Sequence, residues 1–376
     1  MKKVFLGKLT RSAFFYRIRM LMKGAGKMRK LTRKVRIGDR VIGGDEPILI
    51  QSMCNTDTRD VKATVDQIKK LEEVGCEIIR VAVLDNEAAI AIKDIKKQIS
   101  IPVVADIHFD YRLAIESIKS GADKIRINPG NIGGMDRVKA VVDAAKEYEI
   151  PIRVGVNGGS LAKDVLAKYG KVTVPGLVES AYSYVKILEE LDFNNMVVSL
   201  KVSNVPGTIE AYRLLSDKCD YPLHIGVTEA GTLIGGTIKN SMGIGILLNE
   251  GIGDTLRVSL TADPTEEVKV GWDIVKGLGL RNRGVHFISC PTCGRTKVNM
   301  LPIAEKVERA VADIDKNIKV AVMGCAVNGP GEASEADFGV ACGDGCGLLF
   351  MKGEIVKKVE EDRIVTELLE LIERGE

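Results

Sequence analysis

The feature that most constrains this chain is one phrase repeated along it: a short apolar or β-branched run that ends in polar residues, then a longer helical segment. The runs cover residues 48–52, 78–83, 103–106, 124–128, 152–157, 196–201, 223–228 and 255–259. Between them lie helix-length segments such as 61–74, 137–148, 174–191 and 208–218, with apolar residues at three- and four-residue spacing. Strands alternating with helices pair in parallel through right-handed crossovers. Eight such units predict an α/β fold closed as a (β/α)8 TIM-type barrel rather than an open doubly wound sheet.

A barrel of this kind places its chemistry at the C-terminal ends of the strands. Those ends carry Gln51 and Ser52, Arg80, Asp106 with His108, Arg126 with Asn128, Arg153 with Asn157, Lys201 with Ser203, His224 with Glu229, and Arg257 with Ser259. Taken singly, each arginine reads equally well as a strand cap paired with a neighbouring carboxylate. As a set, four arginines and a lysine at one mouth need an anion to compensate them. Guanidinium forks match phosphate oxygens, and the glycine-rich turns at 128–134 and 157–160 add backbone N–H donors. The expected ligand is a small molecule bearing a diphosphate.

A boundary falls at the glycine- and arginine-rich stretch 277–284, which places the barrel at 29–280 and a smaller α+β domain at 281–376. The latter reads as a strand at 285–288, a helix at 303–314, a strand at 319–323 and a final helix at 364–374. Its two cysteine-bearing loops each follow a strand. Cys290 and Cys293 form C-x-x-C, Cys325 follows after a long excursion, and Glu332 stands seven residues beyond it. Zinc, a redox dithiol and an iron–sulfur cluster all use C-x-x-C. Structural zinc wants a fourth Cys or His at finger-like spacing, and His286 is the only histidine in this domain. A dithiol needs no Cys325. Three thiolates without a close fourth point to a [4Fe–4S] cluster with one distinct iron. Glu332 competes for that corner with Cys342 and Cys346, a C-x3-C pair in the glycine-rich stretch 341–347, which reads as a flexible loop with free cysteines or as part of an all-Cys site.

Composition narrows the setting. With 45% hydrophobic and 28% charged residues the chain can bury a core without disulfides, and its eight cysteines include Cys54, Cys76 and Cys219 in scattered positions. That usage points to a reducing, cytoplasmic compartment. No run of about 18 to 20 apolar residues suggests a membrane span. The net charge of +3 is misleading, because residues 1–28 hold eight basic residues and no acid, leaving the remainder at −5. A mildly acidic body carries no nucleic-acid footprint. Residues 1–28 are expected to be a dispensable extension ahead of Met28, disordered or untranslated, with a targeting or membrane-surface helix as the alternative.

The phrases CPTCGR (290–295) and MGCAVNGPGEA (323–333), with VADIHFDYRLA (104–114), RINPGNIG (126–133), VTEAG (227–231) and GIGDTLRVSL (251–260), resemble the bacterial 4-hydroxy-3-methylbut-2-enyl diphosphate synthase family of isoprenoid biosynthesis. The resemblance covers residues 29–376. It implies a barrel followed by a cluster domain, acting as a homodimer in which the cluster domain of one subunit closes over the barrel mouth of the other. The implied reaction is the two-electron reductive ring opening and dehydration of 2-C-methyl-D-erythritol 2,4-cyclodiphosphate, with flavodoxin or ferredoxin as electron donor. Carried over, Cys290, Cys293, Cys325 and Glu332 hold a [4Fe–4S] cluster, and Glu229 transfers a proton. Arg59, Arg126, Asn128, Arg153, Asn157, Lys201, Ser203, His224, Arg257 and Ser259 contact the substrate. The Cys342 and Cys346 pair departs from the family pattern. Two other readings compete: a phosphate-ester enzyme of the dihydropteroate synthase type with a structural zinc, and a non-catalytic iron–sulfur sensor.

Overall fold

The computed structural model describes residues 29–158, 161, 163–296, 298–312, 314–325 and 335–375. Two compact units divide the chain, Met1–Leu278 and Gly279–Glu376. In the first, eight parallel strands form one sheet: β3 (Leu49–Met53), β4 (Ile78–Val83), β5 (Val103–Ile107), β6 (Lys124–Ile127), β7 (Ile152–Asn157), β8 (Met196–Lys201), β9 (His224–Ile225) and β10 (Thr255–Leu256). Successive strands neighbour one another, β10 returns to β3, and a parallel bridge from Val198 to Leu223 joins β8 to β9. The ladder is thin at that seam. Tyr212 reinforces it: its hydroxyl lies 2.9 Å from the Leu200 carbonyl oxygen and 2.6 Å from that of His224, and accepts the Leu200 N–H at 3.1 Å.

Strand periodicity explains how the barrel is buried on both faces yet not apolar on both. Ile125 and Ile127 of β6, and Ile152, Val154 and Val156 of β7, join the large core beneath the helices. The alternate positions, Lys124 and Arg126, then Arg153 and Gly155, turn to the barrel interior. At the N-terminal end of the barrel the interior is apolar. A hairpin of β1 (Val35–Ile37) and β2 (Arg40–Ile42), turning at Gly38 with φ 56°, packs Val35, Ile37 and Ile42 against Leu49, Ile78, Val104 and Val197. This plug is absent from the sequence reading, because two strands of three residues each give too short a period to detect.

Helices follow the strands: α1 (Val61–Glu73), α2 (Asn86–Lys96), α3 (Tyr111–Lys119), α4 (Pro129–Ile132), α5 (Met135–Glu147), α6 (Lys163–Tyr169), α7 (Val174–Glu190), α8 (Val205–Lys218), α9 (Leu233–Asn249) and α10 (Pro264–Gly277). Asp60, Asp85, Asp110, Asn128, Thr173, Asn204 and Asp263 cap seven of them with side-chain oxygens that accept backbone N–H groups. The sequence reading extends the last two strands to 223–228 and 255–259, whereas the ladder there holds only two residues each. Gly226 shows why: a Cβ on it would lie 2.5 Å from the Arg257 carbonyl oxygen, so the backbones cross in close contact instead of continuing as strands.

The second unit is a five-stranded sheet in the order β11 (His286–Ser289), β12 (Lys319–Met323), β13 (Phe338–Cys342), β14 (Cys346–Met351) and β15 (Glu354–Glu360). Helices α11 (Met300–Val311) and α12 (Ile364–Arg374) share a core with it. Here the sequence reading needs correction. Residues 341–347 are not a flexible loop: Cys342 ends β13, Cys346 begins β14, and the two strands form an antiparallel hairpin. Glycines at 339, 343, 345 and 347 disguised it. Gly339 and Gly347 are required by packing, since a Cβ would meet the Phe350 ring at 2.3 Å and Val340 at 2.7 Å.

Candidate active site

Basic residues at the C-terminal half of the barrel converge on an open cavity of about 410 Å³. Arg80, Arg153, Ser199, Lys201, Tyr212, His224, Thr228, Arg257 and Ser259 are among its lining. Four of these residues are basic, and two buried carboxylates close by, Asp106 and Glu267, are already engaged. Asp106 sits between Arg126 Nη1 at 3.1 Å and Arg80 Nε at 3.7 Å. Burial pushes the Asp106 carboxyl up, but Arg80, Arg126 and Arg153 outweigh it and hold the group well below the usual carboxylate range. Glu267 accepts from Arg257 Nη2 at 3.3 Å and from the Leu260 N–H at 2.9 Å.

The remaining cations are poorly compensated. Arg80 donates through Nε and Nη2 to the Met53 thioether sulfur at 3.0 and 2.8 Å, a weak acceptor for a guanidinium. Its pKa falls to about 10, first through burial and then through Arg257 and Arg126 against the pull of Asp106. The Nε atoms of Arg126, Arg153 and Arg257 are buried without a hydrogen-bond partner among the described residues. Burial, together with Arg126 and Arg80, pulls Lys201 down to about 7. His224 is kept neutral by burial and by Arg153, Lys124 and Arg80, and its Nδ1 lies 2.8 Å from Thr255 Oγ1. Such a surplus of buried, unsatisfied donors is costly without an anion. Gly155 is part of the design: a Cβ there would lie 2.5 Å from Arg126 Nε and displace the guanidinium.

Of the substrate contacts expected from sequence, Arg153, Lys201, His224, Arg257 and Ser259 line the cavity. Arg126 and Asn128 are buried at the same end of the barrel; Asn128 Oδ1 caps α4 at the Gly130 N–H, 3.2 Å, and its Nδ2 is unpartnered. Asn157 ends β7 opposite Lys201. Three residues stand apart. Arg59 is exposed, with its guanidinium on Asp57 and, at 3.1 Å, on Asp85. Ser203 is exposed in the turn before α8. Glu229 is exposed too, beside Thr228 of the lining, in a left-handed conformation with φ 55° that is unusual for a residue with a side chain. Ser199, Tyr212 and Thr228 were not assigned to the ligand by the sequence reading. Arg80 was among the strand-end cations expected to face an anion, though not among the contacts carried over from the resemblance; Tyr212 carried no signal, since it reaches the cavity from a helix.

In the second unit, β11 and β12 are parallel, with Ser289 opposite Val322. The register therefore brings the chain leaving β11 at Cys290 beside the chain leaving β12 toward Cys325. Cys290 N–H donates to the Val322 carbonyl at 3.3 Å, and the Gly324 N–H donates to Cys290 Sγ at 3.0 Å. Cys293 is exposed and its thiol is lowered, chiefly by the Arg295 backbone N–H. Among the described residues no three His, Cys, Asp or Glu side chains gather closely enough to hold a metal ion, and Glu332 lies outside those residues. The donor set nonetheless suits soft-metal ligation: two thiols with N–H partners in the loop after β11, and a third at Cys325 just past the adjacent strand β12, with Gly324 so close that a Cβ there would lie 3.4 Å from Cys290 Sγ. Cys342 is different. It packs with Phe338, Val340 and Ile364, and burial pushes its thiol up to about 12, as befits a core residue rather than a ligand.

Family models distinguish both units: the GcpE TIM-barrel domain matches residues 32–272, and the GcpE protein C-terminal domain matches 286–374. The chain belongs to the GcpE family. It is 63% identical over 348 residues to the "4-hydroxy-3-methylbut-2-en-1-yl diphosphate synthase (flavodoxin)" of Caldanaerobacter subterraneus subsp. tengcongensis, covering 93% of this chain and 98% of that protein. The proteins of the same name from Clostridium perfringens and Geobacter sulfurreducens are 62% and 56% identical, each covering 92% of this chain, and 99% and 98% of those proteins respectively. GcpE membership thus extends through the barrel and the cysteine-bearing unit alike. No helix of the described residues is long and apolar enough to cross a membrane.

Proposed function

We infer that this chain catalyses the reductive ring opening and dehydration of 2-C-methyl-D-erythritol 2,4-cyclodiphosphate to 4-hydroxy-3-methylbut-2-enyl diphosphate. The observation that carries the reading is the cationic barrel mouth, in a chain whose relatives at 56–63% identity bear the synthase name over nearly their whole length. The dihydropteroate synthase alternative loses its ground, because it leaves the match of residues 286–374 to the GcpE C-terminal domain without a purpose.

In this reading Arg80, Arg153, Lys201 and Arg257 take the two phosphates, and Ser259 and His224 add hydrogen bonds. These cations are held in place before the ligand arrives, so the charge that relocates as the ring opens meets donors that need no reorganisation. Lys201, at about 7, passes from neutral to charged as the anion enters and thereby strengthens the contact. Glu229 stands at the rim to donate the proton that the departing hydroxyl needs to leave as water. Cys290, Cys293 and Cys325, with Glu332, would hold a [4Fe–4S] cluster, which supplies electrons one at a time and an iron able to accept an oxygen ligand. Cys342, a buried thiol, is left out of that set. The electron donor is a flavodoxin, as the relatives' names state for them, and the enzyme works as a homodimer in the cytoplasm.

The test is anaerobically prepared protein assayed with the cyclodiphosphate and a chemical or flavodoxin reductant, alongside iron and sulfide analysis and EPR. Product formation with roughly four irons and four sulfides per chain supports the reading. Binding without turnover points to a sensor, and a colourless zinc protein overturns it. Full activity and an unchanged cluster spectrum in Glu332→Ala would remove Glu332 from the ligand set.

A further inference from the structure

Below the cavity lies a cation that none of the proposed chemistry uses. Lys124 opens β6 and points into the barrel one step beneath Arg126, opposite Val104 of the apolar plug. It is entirely buried, and its Nζ has no hydrogen-bond partner among the described residues. The nearby acids among the described residues are engaged elsewhere. Asp123, its neighbour in sequence, takes Lys96 Nζ at 2.5 Å and the Val103 N–H at 2.7 Å. Asp106 is held by Arg126 and Arg80, and Asp254 by Arg29, Thr32 and the Leu223 N–H.

Apart from Asp106 of β5, already held by two arginines, the groups that the surrounding strands present to Lys124 are positive or neutral. Arg80 from β4 and Arg153 from β7 repel its charge, and His224 from β9 feels Lys124 in turn. Gln51 of β3 is uncharged, with both amide atoms unpartnered among the described residues. From β8 come Val197 and Ser199, and Thr255 of β10 is bonded to His224. The hairpin beneath contributes Val35, Ile37 and Ile42. Burial first, then Arg153 and Arg80, drive the amine well below the ordinary lysine value. Yet Arg80 and Arg153 also line the cavity above, so a ligand dianion resting on them cancels the repulsion that they exert on Lys124.

We propose that Lys124 is a proton-uptake residue: a neutral amine in the ligand-free barrel, it takes a proton from solvent when a diphosphate settles on Arg80 and Arg153 in the cavity above it. The proposal rests on the reading that this cavity binds the cyclodiphosphate. It makes Lys124 a positioning residue, acting through two guanidiniums rather than by contact with substrate. Because charge enters with the ligand, the interior stays near balance in both states. Ligand affinity then falls as pH rises through the window between the free and bound values of the amine, by at most about tenfold per pH unit for each proton taken up.

The experiment is isothermal titration of cluster-loaded protein with the cyclodiphosphate, without reductant so that no turnover occurs, at pH 8 in buffers of differing ionisation enthalpy. Lys201, at about 7 in the free protein, takes up a proton as well. The expected result is that Lys124→Met still binds the ligand but takes up about one proton fewer than the wild type, and that Lys124→Gln does the same. Equal uptake in wild type and variants overturns the proposal. Should the variants not fold, [13Cε]lysine NMR of the wild type reads the amines directly. Two lysine signals should cross from neutral to charged positions on ligand addition, and movement of only one overturns it. Absence of any binding to the wild type instead overturns the functional reading on which the proposal rests.

Discussion

The barrel and the C-terminal unit prepare their functional groups in opposite ways. In the barrel Arg80, Arg126 and Arg153 are buried, and Lys201 and Arg257 half-buried, close to further cations around the cavity. In the C-terminal unit the thiols sit just past strand ends, Cys293 exposed and Cys290 and Cys325 half-buried, with a hydrogen bond from Gly324 to Cys290. The first is a preorganised electrostatic arrangement, which stores unfavourable energy until an anion arrives. In the proposed function the second is a set of ligands that a cofactor would draw together, so its order would depend on the cofactor. On that reading binding and electron supply fall to two units that fail separately.

The sharpest way to break this division is Cys290→Ser. It should abolish turnover, on the order of a thousandfold or more, and lower iron content, while calorimetry finds cyclodiphosphate affinity at the barrel within about threefold of wild type. A parallel loss of affinity would show that the barrel site depends on the cluster. Arg153→Met comes next. It should lower kcat/KM by about 10²–10³ through loss of a buried charged contact, yet leave the melting temperature unchanged or higher, because an unpartnered buried charge is removed. A large fall in melting temperature would mean that Arg153 serves the fold.

A smaller effect tests the electrostatics of the mouth. With Lys201 at about 7 in the free protein, its charged form dominates below that value and is lost above it, so kcat/KM should decline as pH rises past 7. Lys201→Arg, charged throughout, should flatten the profile between pH 7 and 9, and an unchanged profile would assign the titration to another group. In the C-terminal unit, Cys342→Ala should cost about 1–2 kcal/mol of stability by denaturant titration and leave the iron content intact. Loss of iron would reinstate Cys342 as a ligand. The smallest effect is expected for Arg59→Ala, with kcat/KM within about threefold, since its guanidinium faces Asp57 and Asp85 at the surface. A loss beyond tenfold would bring Arg59 back to the substrate.

Legibility from sequence followed period length and partner distance. Strands β4, β7, β8 and β12 begin and end where periodicity places them, because each has five or six residues of unbroken pattern. The plug hairpin and the C-terminal strands β13 to β15 were missed: strands of three residues, strands interrupted by glycine as in β13 and β14, or a strand exposed at nearly every position as in β15, carry too little pattern to separate from loops. The positions of the expected contacts divide in the same manner. That Arg153, Lys201 and Arg257 line the cavity was legible, because they stand on or just past barrel strands, which assign each side chain to a face. That Arg59 lies at the surface with Asp57 and Asp85 was not, because it precedes a helix, where nothing in the local pattern says which way a long side chain turns.

By itself, then, the sequence determined the repeating strand-and-helix order, the two cysteine-bearing loops after strands, and the excess of basic residues at strand ends. All of these are local or periodic properties, written in consecutive residues. Only the tertiary structure decided which cations share a cavity, that Cys342 is a core thiol, and that Lys124 is buried with no partner among the described residues. Those facts depend on registers between strands and on burial, which arise from contacts among residues far apart in the chain and determine whether a charge meets water, an acid or another charge.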